Sequence, residues 1–537
     1  MKNQTSAIEQ LDRYIRARYP VITILSHEES RVMASIGAVA ERRMRRVVTW
    51  TCTQGLQQVR PEGEFSDWRP DSDLQFDADM TRNEIAALEV ILTTEIADEA
   101  MPVLFVIKDI HGFLGTGQRG FDPQITRWIR DIAARFETSR HNLVFLSPTF
   151  NIPPELDKTL VVIDWPLPDT DELSAILAKC EKDLPSRIPV KLNGNRERVV
   201  QAMRGLSAFE AGSVLLSAIA ATGELSETCI PYIVAEKSQI IKKDRVLEYW
   251  DETVTMGEIG GLKNLKDYAE QERYILSLTN RRGLDTPKGL LLVGVPGTGK
   301  SLSAKAIAGG QMPLLKMDMG ALMGGIVGES EDKTRRALKL ADACAPCILW
   351  LDEIEKGLGG VESSNQTDGG TTMRMFGTLL TYMQENTNPV YIVATANSTK
   401  GLRPEFLSRF DEVFFVDLPS HSDRKEIVSV HLAKRSLDPT RFDINAIAGA
   451  LWGYSGREIE KVVKAAIKKA FVEKKDVTTE HLLKAAGELV PVSVTMKNDI
   501  DAVRAWAADT HARQAAEALE PQPKQQSTGS RMSSAEL

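Results

Sequence analysis

The chain has 537 residues, 42% hydrophobic and 26% charged, a globular composition long enough for two or three domains, which excludes a collagen-like, mucin-like or wholly disordered protein. Its 66 basic and 74 acidic residues give a net charge of −8, so nothing draws it globally to nucleic acid or anionic lipid. Five cysteines make no disulfide framework, and no apolar run approaches the roughly 18 residues of a membrane span.

The first twenty residues, MKNQTSAIEQLDRYIRARYP, are charged and amphipathic with no signal-peptide core, so a cytoplasmic protein is expected. Apolar runs at Val21–Leu25, Val47–Trp50, Val103–Ile107, Leu143–Leu146 and Leu160–Ile163 have the length and β-branched content of buried strands. Helical patterns, such as Arg82–Glu95 and Gln124–Thr138, lie between them, and this alternation predicts βαβ units and a parallel sheet. From Asp169 to Lys243 the pattern is helical, at Glu172–Cys180, Phe209–Ala221 and Thr228–Ile241. The order then repeats. Strands are predicted at Leu290–Val293, Leu314–Met317, Cys347–Leu351, Val390–Thr395 and Glu412–Val416, and helices at Arg424–Lys434, Glu458–Glu473 and Glu480–Ala486. Gly359–Thr372 is rich in Gly, Ser and Thr and reads as a mobile loop, and the polar tail after Ala516 reads as disordered.

The expected fold class is therefore α/β, a parallel-sheet core with a helical lid, preceded by a degenerate α/β module of the same plan with its own helical segment. The expected division is 1–168 (α/β, no phosphate loop), 169–245 (helical), 246–420 (α/β core), 421–490 (lid), 491–515 (C-terminal helix) and 516–537 (tail).

Gly294, Val295, Pro296, Gly297, Thr298, Gly299, Lys300 and Ser301 fit GxxxxGK[ST], after an apolar strand and before a helix that continues with Leu302. Such a loop turns backbone N–H groups onto phosphates at a helix N-terminus. Lys300 would reach the β and γ phosphates, and Ser301 would hold Mg²⁺. Asp352 and Glu353 end the strand CILWL, at the edge where parallel sheets bind ligands. Asp352 would support Mg²⁺, and Glu353 could take the proton of an attacking water. Asn397 ends a further strand; alone it reads as a cap or turn residue, but its order after the first two motifs makes it a candidate to orient that water.

Residues 254–490 resemble the AAA family of ATPases. Beyond the phosphate loop, the resemblance rests on Gly257-Glu-Ile-Gly-Gly261-Leu, Val327-Gly-Glu-Ser-Glu331, Arg403-Pro-Glu-Phe-Leu-Ser-Arg409-Phe-Asp411 and Gly453-Tyr-Ser-Gly456. With DGGTTMRMFGTLLTYMQE, ATANS, RYPVITILSHEESR and EKSQIIKKDRVLEYW, nearly the whole chain is similar to the Ycf-type AAA proteins of plastids and cyanobacteria. The resemblance implies ATP with Mg²⁺ as cofactors. It implies Ile259 and Gly260 against adenine, and Arg409 as an arginine finger in the neighbouring subunit's site. It further implies a homo-oligomeric, hexameric ring that acts on a protein or protein complex, with nucleic acid not the expected partner. A nucleotide-state switch or scaffold with slow hydrolysis is the alternative. Three departures qualify the likeness. Glu412 stands where many members carry a second arginine, Ile326 stands in place of a pore-loop aromatic, and Arg457 occupies a usually small position where other branches place a lid arginine on the γ-phosphate.

Elsewhere the sharper readings lose. Cys344-Ala-Pro-Cys347 has no second ligand pair to complete a zinc site, and no HExxH is present. In the first half His27-Glu28-Glu29 replaces a phosphate loop, and Asp109 sits at a strand end without a following acid. Glu41–Arg46 is a short basic cluster without interleaved aromatics.

Overall fold

The computed structural model describes residues 6–62, 67–70, 76–93, 102–116, 120–192, 194–242, 246–250, 254–278, 283–309, 312–317, 319, 329–358 and 366–517. Ile326 with Gly324 and Gly325, residues 359–365 of the 359–372 segment, and the tail from residue 518 lie outside them. The chain forms two compact units, Met1–Pro185 with Leu206–Leu216, and Ser186–Gly205 with Ser217–Leu537.

In the first unit the strands are β1 (Val21–Leu25), β2 (Arg46–Thr51), β3 (Gly55–Glu62), β4 (Asp67–Pro70), β5 (Val103–Lys108), the small hairpin β6 (Gly115–Thr116) and β7 (Gly120–Phe121), β8 (Asn142–Ser147) and β9 (Leu160–Asp164). The large sheet has the order β4-β3-β2-β5-β8-β1-β9. Its five strands from β2 to β9 are parallel, and β3 and β4 extend the edge antiparallel. Alternation along the strands loads both faces. Val48, Trp50, Phe105, Ile107, Leu143 and Phe145 pack under helices Glu84–Thr93 and Pro123–Glu137. Ile22, Ile24, Leu104, Val106 and Val144 pack under Ala7–Arg16 and Glu29–Arg42. Fully burying each such side chain contributes roughly 1.5–3 kcal/mol.

The second unit holds β10 (Val190–Lys191), β11 (Leu225–Ser226), β12 (Leu247–Trp250), β13 (Gly289–Gly294), β14 (Leu314–Met317), β15 (Cys347–Leu351), β16 (Val390–Ala396), β17 (Glu412–Val416) and β18 (Arg513–Gln514). Its large sheet has the order β12-β14-β15-β16-β13-β17-β18. Numbered within each sheet by appearance, the five parallel core strands of both units share the order 2-3-4-1-5. The duplicated α/β plan is thus a property of the topology.

Four differences from the sequence reading have local causes. β10 and β11 pair within the stretch read as helical, and the helix Arg196–Met203 there was not predicted. The edge strand β3, with its polar GLQQ, lacks the apolar run that marks a buried strand. Helix Gln366–Glu385 starts inside the segment read as a loop. Burial of Met375, Phe376, Leu379 and Met383 against the sheet outweighs the weak helix propensity of its Gly and Thr residues. Residues 513–514, inside the expected C-terminal helix 491–515 (observed at Lys497–Asp509), instead join the sheet as β18 beside β17.

The lid helices His421–Ala433, Ile444–Ala450, Gly456–Val472 and Thr479–Gly487 share a core of Val428, Leu432, Ile447, Ile459, Val462 and Leu482. His431 lies at its margin, and burial pulls its pKa from 6.5 to about 4 against the opposing pull of Glu460. The unfolded chain therefore binds a proton near pH 6.5 that the folded lid refuses until about pH 4, so this contribution is complete above 6.5 and is lost as pH falls through the window. His431→Leu is expected to flatten the fall in melting temperature between pH 6.5 and 4, measured as the difference from the unaltered chain.

Candidate active site

Parallel strands deliver their C-terminal ends to one edge, and in the second unit that edge collects most of the expected site. The loop from Gly294 to Gly299 joins β13 to helix Lys300–Ala308. Gly297 has φ +82°, and a Cβ there would lie 3.0 Å from Ser455 Oγ and 3.2 Å from Arg457 Cβ, so a side chain would push the lid off the loop. Thr298 Oγ1 donates to Val295 O at 2.8 Å and steadies the turn. Lys300 Nζ donates to the carbonyls of Gly294 and Val295, both at 2.8 Å. Burial drops its pKa to about 7, with Glu355, Asp352 and Glu353 pulling the other way. A polyphosphate entering the loop would favour the ammonium form. Leu302 packs against the core beneath the loop.

Asp352 follows β15. Its Oδ1 accepts from Ser301 Oγ at 3.1 Å and Thr395 Oγ1 at 2.8 Å, and its Oδ2 lies 3.3 Å from Lys316 Nζ. The adjoining hydroxyl and carboxylate oxygens are the hard donors that suit Mg²⁺. Glu353 turns with φ +51°, its amide donates to Thr395 Oγ1 at 3.1 Å, and Asn397 Nδ2 donates to its Oε1 at 3.1 Å. Lys356 pairs with its other oxygen. Asn397 is thereby tied to the expected general base, and its amide donates to Glu355 Oε1 at 3.1 Å. Burial raises the pKa of Glu355. Thr395, Glu355 and Lys316 were not singled out from sequence. For Thr395 a signal existed, because it lies two residues before Asn397 and therefore on the same face at the end of β16.

Ile259 is buried in the core. Gly260 lies so close to the lid that a Cβ would fall 2.5 Å from Ile427 N. Together with Thr298, Ile427 and Gly456 it lines a cleft of ≈ 390 Å³ that includes open solvent. Ser455 and Glu458 form a capping box at the start of helix Gly456–Val472, and Arg457 N donates to Gly297 O at 3.0 Å while its side chain is exposed. Arg409 is not gathered with these groups by any hydrogen bond or ion pair among the described residues. It lies between helix Pro404–Leu407 and β17, half-buried, with Nε buried and unpartnered there.

Three family models match the chain. The ATPase family associated with various cellular activities (AAA) covers residues 290–418, and the N-terminal and second domains of SpoVK-like AAA ATPases cover 7–165 and 171–244. The AAA domain-containing protein ycf46 of Pyropia yezoensis is 34% identical over 513 residues, spanning 94% of this chain and 99% of that protein. Its counterpart in Guillardia theta is 34% identical over 94% of this chain and 95% of its own length. The chain belongs to the ycf46 group of AAA ATPases. The ATP-dependent zinc metalloprotease FtsH of Acidothermus cellulolyticus is 33% identical over 231 residues, 41% of this chain and 33% of that protein.

Against this family site, the first unit is a copy with its charges exchanged. Leu25 and Val293 occupy matching places, opposite Ser147 and Ala396 respectively. Counting outward, Lys108 matches Asp352 and Asp109 matches Glu353, and the left-handed turns at Asp109 (φ +56°) and Glu353 agree. Asp109 thus takes the place of Glu353, the expected general base, and not that of Asp352. Glu29 opens the helix where Lys300 would, and Lys108 Nζ bonds its Oε1 at 2.7 Å. The lid start is repeated too, with Gly205-Leu-Ser207-Ala-Phe-Glu210 beside Gly453-Tyr-Ser455-Gly-Arg-Glu458. Ser207 and Glu210 make the same reciprocal bonds, Phe209 replaces Arg457, and Ala208 N donates to Glu28 Oε1 at 2.5 Å. A carboxylate of the chain itself caps this helix where phosphates would need room. Lys300→Ala is therefore expected to abolish nucleotide binding by the full chain, measured with a fluorescent ATP analogue, with no residual stoichiometric site in the first unit.

Among the described residues no helix is long and apolar enough to cross a membrane.

Proposed function

We propose that this chain is a Mg²⁺-dependent ATPase that works as a homo-oligomeric, hexameric ring and remodels a protein or protein complex in the cytoplasm. The observation that carries the reading is the chain of contacts Ser301–Asp352–Thr395–Glu353–Asn397 beside the lysine of the phosphate loop. The domain division given above is part of the proposal. Residues 246–420 and 421–490 supply core and lid, and residues 1–245 supply a nucleotide-silent module that recruits the load.

In this reading Gly294–Gly299 wrap the phosphates, Lys300 neutralises them, and Ile259 and Gly260 back the adenine. Ser301 and Asp352 would hold Mg²⁺, which would supply charge neutralisation at the transferring phosphoryl group. Glu353 takes the proton of the attacking water and Asn397 holds that carboxylate in place. The lid follows nucleotide state through the bond from Arg457 to the phosphate loop, with its guanidinium free to swing onto the γ-phosphate. Arg409 completes the neighbouring subunit's site.

Glu353→Gln is expected to bind ATP, to lose hydrolysis by at least about 100-fold, and to reach about six protomers with ATP, read by light scattering. Arg409→Ala is expected to lose about 10³-fold in rate. Mixing the two inactive variants should restore part of the activity, because a mixed interface joins an intact Glu353 to an intact Arg409. A mixture as inactive as its components places Arg409 in its own subunit's structure and removes the shared site.

A second reading, a nucleotide-state switch that hydrolyses slowly, is favoured by Glu412. It stands where a second arginine would serve the partner, and it is engaged within its own chain by Arg513 at 3.4 Å. A turnover well under 1 s⁻¹ that no candidate load accelerates would select it.

A further inference from the structure

We propose that Arg513–Glu517 form a strap that closes the base end of the nucleotide cleft and sets how long nucleotide stays bound. This rests on the ATP reading above and adds to it a wall drawn from the far C-terminus.

The cleft that begins at Gly260 and Leu262 is completed by Gln514 and Ala516, some 250 residues away in sequence. The strap is held from two sides. On the sheet side it runs as β18 along β17, and Ala515 N donates to Phe415 O at 3.0 Å. On the other side, helix Lys263–Ser277 grips it near its first turn. Leu265 N donates to Ala515 O at 3.2 Å, and Asn264 Nδ2 donates to Gln514 O at 3.1 Å and to Ala516 O at 2.9 Å. Lys263 pairs with Glu517 at 2.9 Å. Ala515 is fully buried in the core under the cleft, and the Arg513 guanidinium lies 5.2 Å from the centre of the Phe414 ring.

The residues leading to the strap belong to the same site. Val492 and Ile500 pack on Val295 of the phosphate loop, and Arg504 makes a two-pronged bond to Asp417, another wall of the cleft. The C-terminal segment therefore runs from the phosphate loop to the base end. A two-residue edge strand has little of its own to hold it, so Asn264, with two bonds to the strap's backbone, is the positioning residue on which closure depends.

The test is a stopped-flow chase of fluorescent ADP and ATP from the full chain, from Asn264→Ala, and from a chain ending at Thr510, with a chain ending at Glu517 as control. Both strap variants are expected to release nucleotide about tenfold faster, a loss of ~1.4 kcal/mol. Their affinity for inorganic tripolyphosphate, which needs only the phosphate loop, should stay within about twofold. The proposal is overturned by release rates like those of the unaltered chain in Asn264→Ala. It is equally overturned by parallel weakening toward nucleotide and tripolyphosphate, which would mean that the segment only supports the fold. Should the shortened chain fail to fold, Asn264→Ala carries the result. Failure of the ATP reading itself has a separate signature, an unaltered chain that binds ADP no better than Lys300→Ala, and the strap's role falls with it.

Discussion

Asp352 holds a carboxylate that is four-fifths withdrawn from water, and three groups turn toward it: Lys316 from β14, Thr395 from β16, and Ser301 from the helix that follows β13. A charge removed from water is tolerated only when paired and hydrogen-bonded. The strand order around β15 meets that need, since β14 and β16 are its two neighbours and β13 lies just beyond β16. The same bonds that satisfy Asp352 fix the distance between the phosphate loop and the strand end that carries Glu353. The hydroxyl of Thr395 serves both, because it also accepts from the Glu353 amide. Positioning of the hydrolytic groups and compensation of one carboxylate are thus a single problem with a single solution.

The first unit meets the same edge problem with charges of its own. Two residues lie between Ser26, just after β1, and Glu29, whereas five lie between Gly294 at the end of β13 and Lys300, so the loop that would curl around phosphate is missing. The strand-end acid has become Lys108 and the helix-start base has become Glu29, and they neutralise each other directly. Glu28 is buried and burial raises its pKa, yet it gains the Ala208 amide and the Arg31 guanidinium at 3.0 Å. Arg31 also bonds Pro166 O, so the strand exit, the phosphate-loop remnant and the start of helix Ala208–Thr222 are tied together by fixed charges. In the second unit the corresponding junction has a glycine carbonyl in that place and an open cleft beside it.

What the sequence made legible follows from how local the physics is. The ten core strands are short apolar runs of fixed period, and all ten predicted runs begin and end within two residues of the observed strands. The phosphate loop, Asp352, Glu353 and Asn397 follow from residue type at a strand end, because a parallel sheet brings all such ends together. The edge elements did not follow. β3, β4, β12 and β18 gain their stability from a neighbour already in place, so their own residues carry little pattern. Lys316 and Glu355 were hidden for a related reason, since their roles depend on register between strands and not on spacing along one. The match between Lys108 and Asp352 likewise emerged only from pairing, because the shortened loop destroys any alignment by motif.

Glu412 shows how one position can trade a partner's site for the chain's own. At the start of β17, the strand that the C-terminal residues join, an arginine would repel Arg513 and an acid attracts it. Arg513 is also drawn over Tyr268 and Phe414, an arrangement that favours a cation at that edge. The choice of Glu at 412 therefore stabilises the strap. On the ring reading proposed above, the charge supplied across the interface must then come from Arg409 alone. A site with one such cation has less transition-state stabilisation to gain from assembly, but a cleft closed by its own C-terminus holds nucleotide longer between turnovers. On the readings proposed above, slower exchange and a smaller gain from assembly would go together, and Glu412 bears on both through its pairing with Arg513.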